Sequence, residues 1–168
     1  MVKSGRILSV IAAGVALSMG AQLAHSAPLF GSSRSQNYQR IGGDRGGYVV
    51  HYALRMLKLK QSGKPVQFAG SCLSACTIYL ALPSSQTCIS PGASFGFHAP
   101  YGSSPSGNRM ARMYMLKTYP GWVRSWISSR GGLSSSVITM NYAYASKFMK
   151  PCATATAQRD AIKPARAG

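Results

Sequence analysis

Glutamate is absent from this 168-residue chain, and its only carboxylate side chains are Asp44 and Asp160. No acidic residue lies between Arg45 and Arg159, so chemistry built on that stretch has no acidic triad member to draw on. A long uninterrupted apolar run is also missing. The most apolar stretch, residues 7–23, is broken by Gly14, Gly20 and Gln22, whereas a membrane-spanning helix needs about 20 predominantly apolar residues. There is no internal repeat. Neither a basic block nor an RGG-type repeat accompanies the positive charge, which argues against a specific nucleic-acid partner. Finally, Cys72, Cys76, Cys88 and Cys152 do not form the paired Cys-x-x-Cys knuckles of structural zinc, and no metal is expected.

What the chain has in excess is positive charge, a formal +17, of which Lys3 and Arg6 sit in an amino-terminal targeting pattern. Those two residues make a positive n-region, an apolar segment follows, and Ala24-His25-Ser26 supplies the small-x-small motif of a signal-peptidase site. Residues 1–26 therefore read as a signal peptide removed on export to the periplasm or beyond. Residues 27–41 read as a polar leader, 42–152 as one small domain, and 153–168 as a disordered basic tail without helical or strand period. The remaining basic residues are scattered. Such a surface binds anionic polymers, lipid head groups or acidic proteins nonspecifically, and its plainer reading is a solvated face that confers solubility. Four cysteines in an exported chain favour two disulfides, with three pairings open, and Cys72 and Cys76 fall where their side chains share one face of a helix start.

Along the domain, Gly42-Gly43-Asp44-Arg45-Gly46-Gly47 is a glycine-rich turn. Apolar residues at 49, 50, 53, 54 and 57 then follow helical period. The spacing predicts a strand over 65–69, a sharp turn, an apolar helix over 74–82, and short strands over 87–89 and 93–98, the second ending on His98. Residues 101–108 form a Gly/Ser/Pro loop expected near the site. Residues 109–127 are amphipathic and interrupted by Pro120, hence two helices or one kinked helix whose Met and Trp side chains face the core. Residues 133–149 read as one or two short helices. Turn, helix, strand, turn and helix in this order make an α/β crossover pattern.

Ser74 stands at the corner between the strand and the apolar helix, in Gly70-Ser71-Cys72-Leu73-Ser74-Ala75-Cys76. Such corners suit nucleophiles, because the side chain is held on a tight turn while the free N–H groups of the new helix point at whatever oxyanion forms beside it. Ser74 as a helix N-cap and His98 as a satisfied strand-end histidine are the plainer roles. His51 falls among Lys and Arg on a helix and reads as a surface residue. Asp44, flanked by glycines, reads as a turn or capping residue.

The order Gly-Gly, helix, strand, Gly-x-x-x-Ser at a corner, apolar helix, and Phe97-His98-Ala99-Pro100-Tyr101-Gly102 resembles the proteolytic subunit of Clp protease and its wider Clp/crotonase superfamily. Within it the resemblance is closer to an exported bacterial branch with a Cys-x-Ser-Ala-Cys signature, here Cys72 to Cys76. The resemblance implies a small single-domain α/β fold of repeated ββα-type spiral, with Ser74 as nucleophile, His98 as general base, and the backbone N–H groups of Gly47 and Ala75 as oxyanion hole. It also implies that the last segment returns to the sheet edge, which would join Cys88 to Cys152 and leave Cys72 to pair with Cys76. The family's acidic residue has no counterpart here, and Asn141 lies near its expected place. An amide orients an imidazole but stabilises imidazolium less than a carboxylate does.

The sequence thus leads to a serine hydrolase of peptidase type acting by acyl transfer without a cofactor. A non-catalytic binding or assembly module of the same fold and a basic protein that binds anionic surfaces are the alternatives. The expected partners are a peptide or acyl substrate, with an anionic polymer, a lipid surface or a second copy of the chain as further candidates.

Overall fold

A computed structural model describes residues 37–153; the signal-peptide and basic-tail readings lie outside that range. The fold is mixed α/β, with two small sheets and helices packed around them. Strand β1 (Gln39–Ile41) leads through the glycine loop into helix α1 (Val49–Ser62), then β2 (Val66–Phe68) and β3 (Ser71–Leu73). A 3-10 helix (Ser74–Ala81) follows, then β4 (Thr87–Ile89), β5 (Ser94–Phe97), α2 (Pro105–Thr118), α3 (Gly121–Ser129), β6 (Ile138–Asn141) and α4 (Tyr142–Ala145).

The first sheet is all parallel, in the order β1-β2-β4. In the second, β3 pairs parallel to β5, which pairs antiparallel to β6. Strands of three or four residues are marginal alone. They persist because their inward side chains share one core, in which Val66, Phe68, Ile89, Phe95, Phe97 and Met140 are all fully buried. The two sheets meet through Phe68 and Phe95, edge to face at 5.1 Å. Phe97 packs in turn on Tyr119 and Trp126, with ring centroids 5.6 Å away in each case. Each buried aromatic of this kind contributes a few kcal/mol, about 3–5 by the usual cost of truncation to alanine.

Helix α1 buries Tyr52, Ala53 and Met56 and stops at Gly63, whose φ of +63° closes the helix in the left-handed conformation. Pro120 divides the amphipathic stretch into two helices, α2 and α3, with Ser104 capping α2 by accepting from Gly107 N. Met115, Val123, Trp126 and Ile127 face the core as expected, but Met110 and Met113 are exposed.

Four expectations need correction. The polar leader over 27–41 does not extend to residue 41, since Gln39–Ile41 is a strand registered on β2 and Ile41 is buried. Residues 71–73, read as part of the turn, form β3, because Asp44 pairs with Cys72 on one side and β5 on the other. The helix predicted from residue 74 is wound as a 3-10 helix. Within 133–149, residues 138–141 form a strand that completes the second sheet, with Met140 buried and its neighbours turned outward.

Both disulfides are formed, Cys72–Cys76 and Cys88–Cys152. The second ties the end of the domain to β4, where Pro151 bridges Ile89 and Cys152 N donates to Ile89 O at 3.0 Å. Two disulfides accord with an oxidising compartment. No helix among the described residues is long and apolar enough to cross a membrane.

Candidate functional site

Ser74 is the one described residue other than glycine with a positive φ, +55°. An L-residue in this region loses roughly 1–2 kcal/mol relative to ordinary backbone, so the conformation must be imposed by its surroundings. Several contacts impose it. Leu73 N donates to Asp44 O and Asp44 N to Ser71 O, which fastens the glycine loop to β3. The Cys72–Cys76 bridge spans the corner from two residues before Ser74 to two residues after it. The turns of a 3-10 helix eclipse residues three apart, which places Thr77 over Ser74, and the Thr77 hydroxyl donates to Ser74 O at 2.6 Å. With its proton used there, Thr77 Oγ1 accepts from the Tyr119 hydroxyl, also at 2.6 Å. Burial raises the Tyr119 pKa well above the usual phenol value, keeping it a donor.

The glycine loop closes on the same corner. Asp44 Oδ1 accepts from Gly46 N at 2.8 Å and from the Tyr52 hydroxyl at 2.6 Å, so the sole carboxylate among the described residues is a structural clamp between loop and α1. Burial first, and the Asp44 hydrogen bond second, push the Tyr52 phenol upward and hold its proton. Gly46, at φ +81°, lies so close that a Cβ there would stand 2.5 Å from Leu73 O and 2.8 Å from Ser74 Cβ. Gly47 N has no hydrogen-bond partner among the described residues, and Ala75, next after Ser74, is fully buried.

His98 follows β5 directly and lies with Ser74 on the wall of one cavity of about 590 Å³. The same cavity is lined by Arg45, Gly46, Gly47, Val50, Tyr101 and Asn108, so the loop over 101–108 borders the site as expected, although α2 already begins at Pro105. His98 Nδ1 lies 2.8 Å from Ala99 O. A carbonyl oxygen only accepts, so Nδ1 carries a proton, and whenever the ring is neutral Nε2 is its lone-pair acceptor. Tyr101 packs on the imidazole at 5.5 Å between centroids. No hydrogen bond joins Ser74 Oγ to His98 among the described residues.

Asn141 is not brought to His98. Its register partner is Ser94, at the opposite end of β5, which places His98 about 13 Å along the strand at ~3.3 Å per residue. Its Oδ1 instead accepts from Tyr144 N at 3.0 Å and caps α4. Asn141→Ala is accordingly expected to lower stability by about 1 kcal/mol, read from thermal melts, and to leave the reactivity of Ser74 unchanged. A selective loss of reactivity at unchanged stability would return Asn141 to the site.

His51 is exposed, as expected, and the disulfide leaves no thiol at Cys72 or Cys76. No group of three or more His, Cys, Asp or Glu side chains among the described residues is arranged to hold a metal ion. The cavity wall thus brings together a hydroxyl-bearing residue on a left-handed corner, an imidazole whose Nδ1 is held by a carbonyl, and the backbone of Gly47. No protein-family model matches the chain, and no curated protein matches it.

Proposed function

We propose that this chain is an exported serine hydrolase of the Clp/crotonase type, acting by acyl transfer on a peptide or related acyl substrate. The proposed scaffold is the repeated ββα spiral of that superfamily, and the parallel pairing of β1, β2 and β4 and of β3 with β5 is compatible with it. The observation that carries the reading is the left-handed Ser74 at a strand-to-helix corner, sharing a cavity with a histidine whose Nδ1 is already committed.

In the proposed reaction His98 Nε2 takes the Ser74 hydroxyl proton as Oγ attacks the substrate carbonyl. The tetrahedral oxyanion forms against Gly47 N and Ala75 N. The proton then passes from Nε2 to the leaving amine, and water repeats the sequence to release the acyl group. Ala99 O takes the orienting part of the missing acid. A neutral carbonyl stabilises imidazolium less than a carboxylate, so slow turnover is expected.

Reaction of the purified protein with a serine-directed fluorophosphonate tests the proposal. Wild type should be labelled, whereas Ser74→Ala and His98→Ala should each lose the label while keeping the wild-type melting temperature. Labelling that persists in Ser74→Ala, or a wild type that does not react, would overturn it. The absent Ser74–His98 hydrogen bond and the lack of a carboxylate at His98 favour the second reading, a binding module that retains the fold without turnover, and an unreactive wild type would support it.

A further inference from the structure

The face around the cavity mouth combines two features that water-soluble surfaces normally keep apart. On α1, Val50 is 59 % exposed, Leu54 53 % and Leu57 44 %, and their i, i+4, i+7 spacing makes one apolar stripe turned to solvent. One residue further on, His51, Arg55 and Lys58 repeat that spacing as an exposed, mostly cationic stripe beside it. Tyr48 precedes the helix at 75 % exposure, and Tyr101 stands across the cavity at 82 %. Helix α2 is in contact with α1 and adds Met110 and Met113, each more than 60 % exposed, with exposed Arg109 and Arg112 at their sides. Val50 and Tyr101 belong both to this face and to the cavity wall.

Exposed apolar groups this numerous mark a surface that is covered in use. A second copy of the chain is a poor cover: a two-fold contact would set the cationic stripes of both copies together. The only acidic side chain among the described residues, Asp44, is occupied by Gly46 and Tyr52. A polyanion in water would satisfy the charges but leave the leucines and methionines wet. An anionic bilayer surface satisfies both, with head groups against the cations and the acyl boundary receiving the apolar side chains.

We infer that the α1–α2 face docks on an anionic lipid surface and that the cavity holding Ser74 and His98 opens toward it. The inference does not require Ser74 to turn over. It identifies the place from which a ligand reaches the cavity, at or within the head-group layer.

Flotation with vesicles of phosphatidylcholine alone, or of phosphatidylcholine with phosphatidylglycerol, tests it. Wild type should float only with the anionic vesicles. Leu54→Ser with Leu57→Ser should weaken that binding by about tenfold or more, and Met113→Ser, a single change on the other helix, should weaken it in the same direction. Lys58→Gln with Arg109→Gln should weaken it and flatten its salt dependence. Melting temperatures should stay at the wild-type value, because all five side chains are exposed. Equal flotation of wild type and the serine variants would overturn the inference by placing the contact elsewhere on the chain. A wild-type dimer in lipid-free buffer that the Leu54→Ser, Leu57→Ser variant dissociates would overturn it in favour of a second copy.

Discussion

Gly46→Ala is expected to abolish fluorophosphonate labelling of Ser74 and to destabilise the protein by about 3 kcal/mol or more, a fall in melting temperature of roughly 10 °C. Two effects combine. At φ +81° any L-residue is strained, and the added methyl would lie 2.5 Å from Leu73 O, 2.8 Å from Ser74 Cβ and 2.9 Å from Ala75 N. All three atoms belong to the corner itself, and none is the free end of a flexible side chain. Relief can come only by displacing the loop or the corner, and displacement of either moves the N–H groups of Gly47 and Ala75 relative to Ser74. Gly63→Ala is the matched control: its φ is +63°, but nothing lies within 4 Å of the new methyl. It should cost about 1 kcal/mol through backbone strain alone and leave labelling intact. Equal melting and labelling of Gly46→Ala and wild type would show that the loop is not seated on the corner.

The two disulfides should differ in their stabilising effect by a margin that a melt resolves. Cys88–Cys152 closes a loop with a sequence separation of 64, for which the chain-entropy relation gives about 4 kcal/mol. Cys72–Cys76, with a separation of 4, gives about 2 by the same relation. Both pairs include a fully or almost fully buried sulfur, so the local packing loss on replacement by alanine partly cancels in the comparison. Cys88→Ala with Cys152→Ala is therefore the more destabilising pair. Its labelling at low temperature should persist, since the bridge lies away from the cavity wall. Cys72→Ala with Cys76→Ala should melt closer to wild type but label more slowly, because it frees the corner that sets the Ser74 hydroxyl. A reversed order of melting temperatures would show that the long bridge adds little beyond the hydrogen bonds between Ile89 and its neighbours.

Legibility from sequence followed how local each signal was. Helix α1 announced itself through period alone, and Pro120 divided α2 from α3 because a missing N–H and a fixed φ act whatever the surroundings. The corner at Ser74 was legible as a change from extended apolar residues to small ones. By contrast β1, β3 and β6 were hidden. Three or four residues hold too little alternation to read, and these strands exist through partners far along the chain, β6 through β5 and β3 through both Asp44 and β5. The same reasoning explains Asn141. Its place in the sequence suggested the third member of a triad, while register, which no short-range pattern encodes, put it at the wrong end of β5. The contact that fixes the His98 tautomer was invisible for another reason: Ala99 contributes a backbone carbonyl, and every residue has one. Thr77 was hidden too, since its spacing of three from Ser74 becomes the eclipsed position only once the segment winds as a 3-10 helix.

The left-handed backbone at Ser74 has an evolutionary consequence. Most substitutions in a folded domain lower its stability, yet glycine at this one position would raise it by relieving about 1 kcal/mol of strain, whereas alanine would keep the strain and lose the hydroxyl. Drift without demand on the hydroxyl therefore has a preferred direction. Relatives of this fold in which the corner hydroxyl serves no purpose should carry glycine there far more often than alanine, and retention of serine beside the histidine should mark those in which the hydroxyl is under demand.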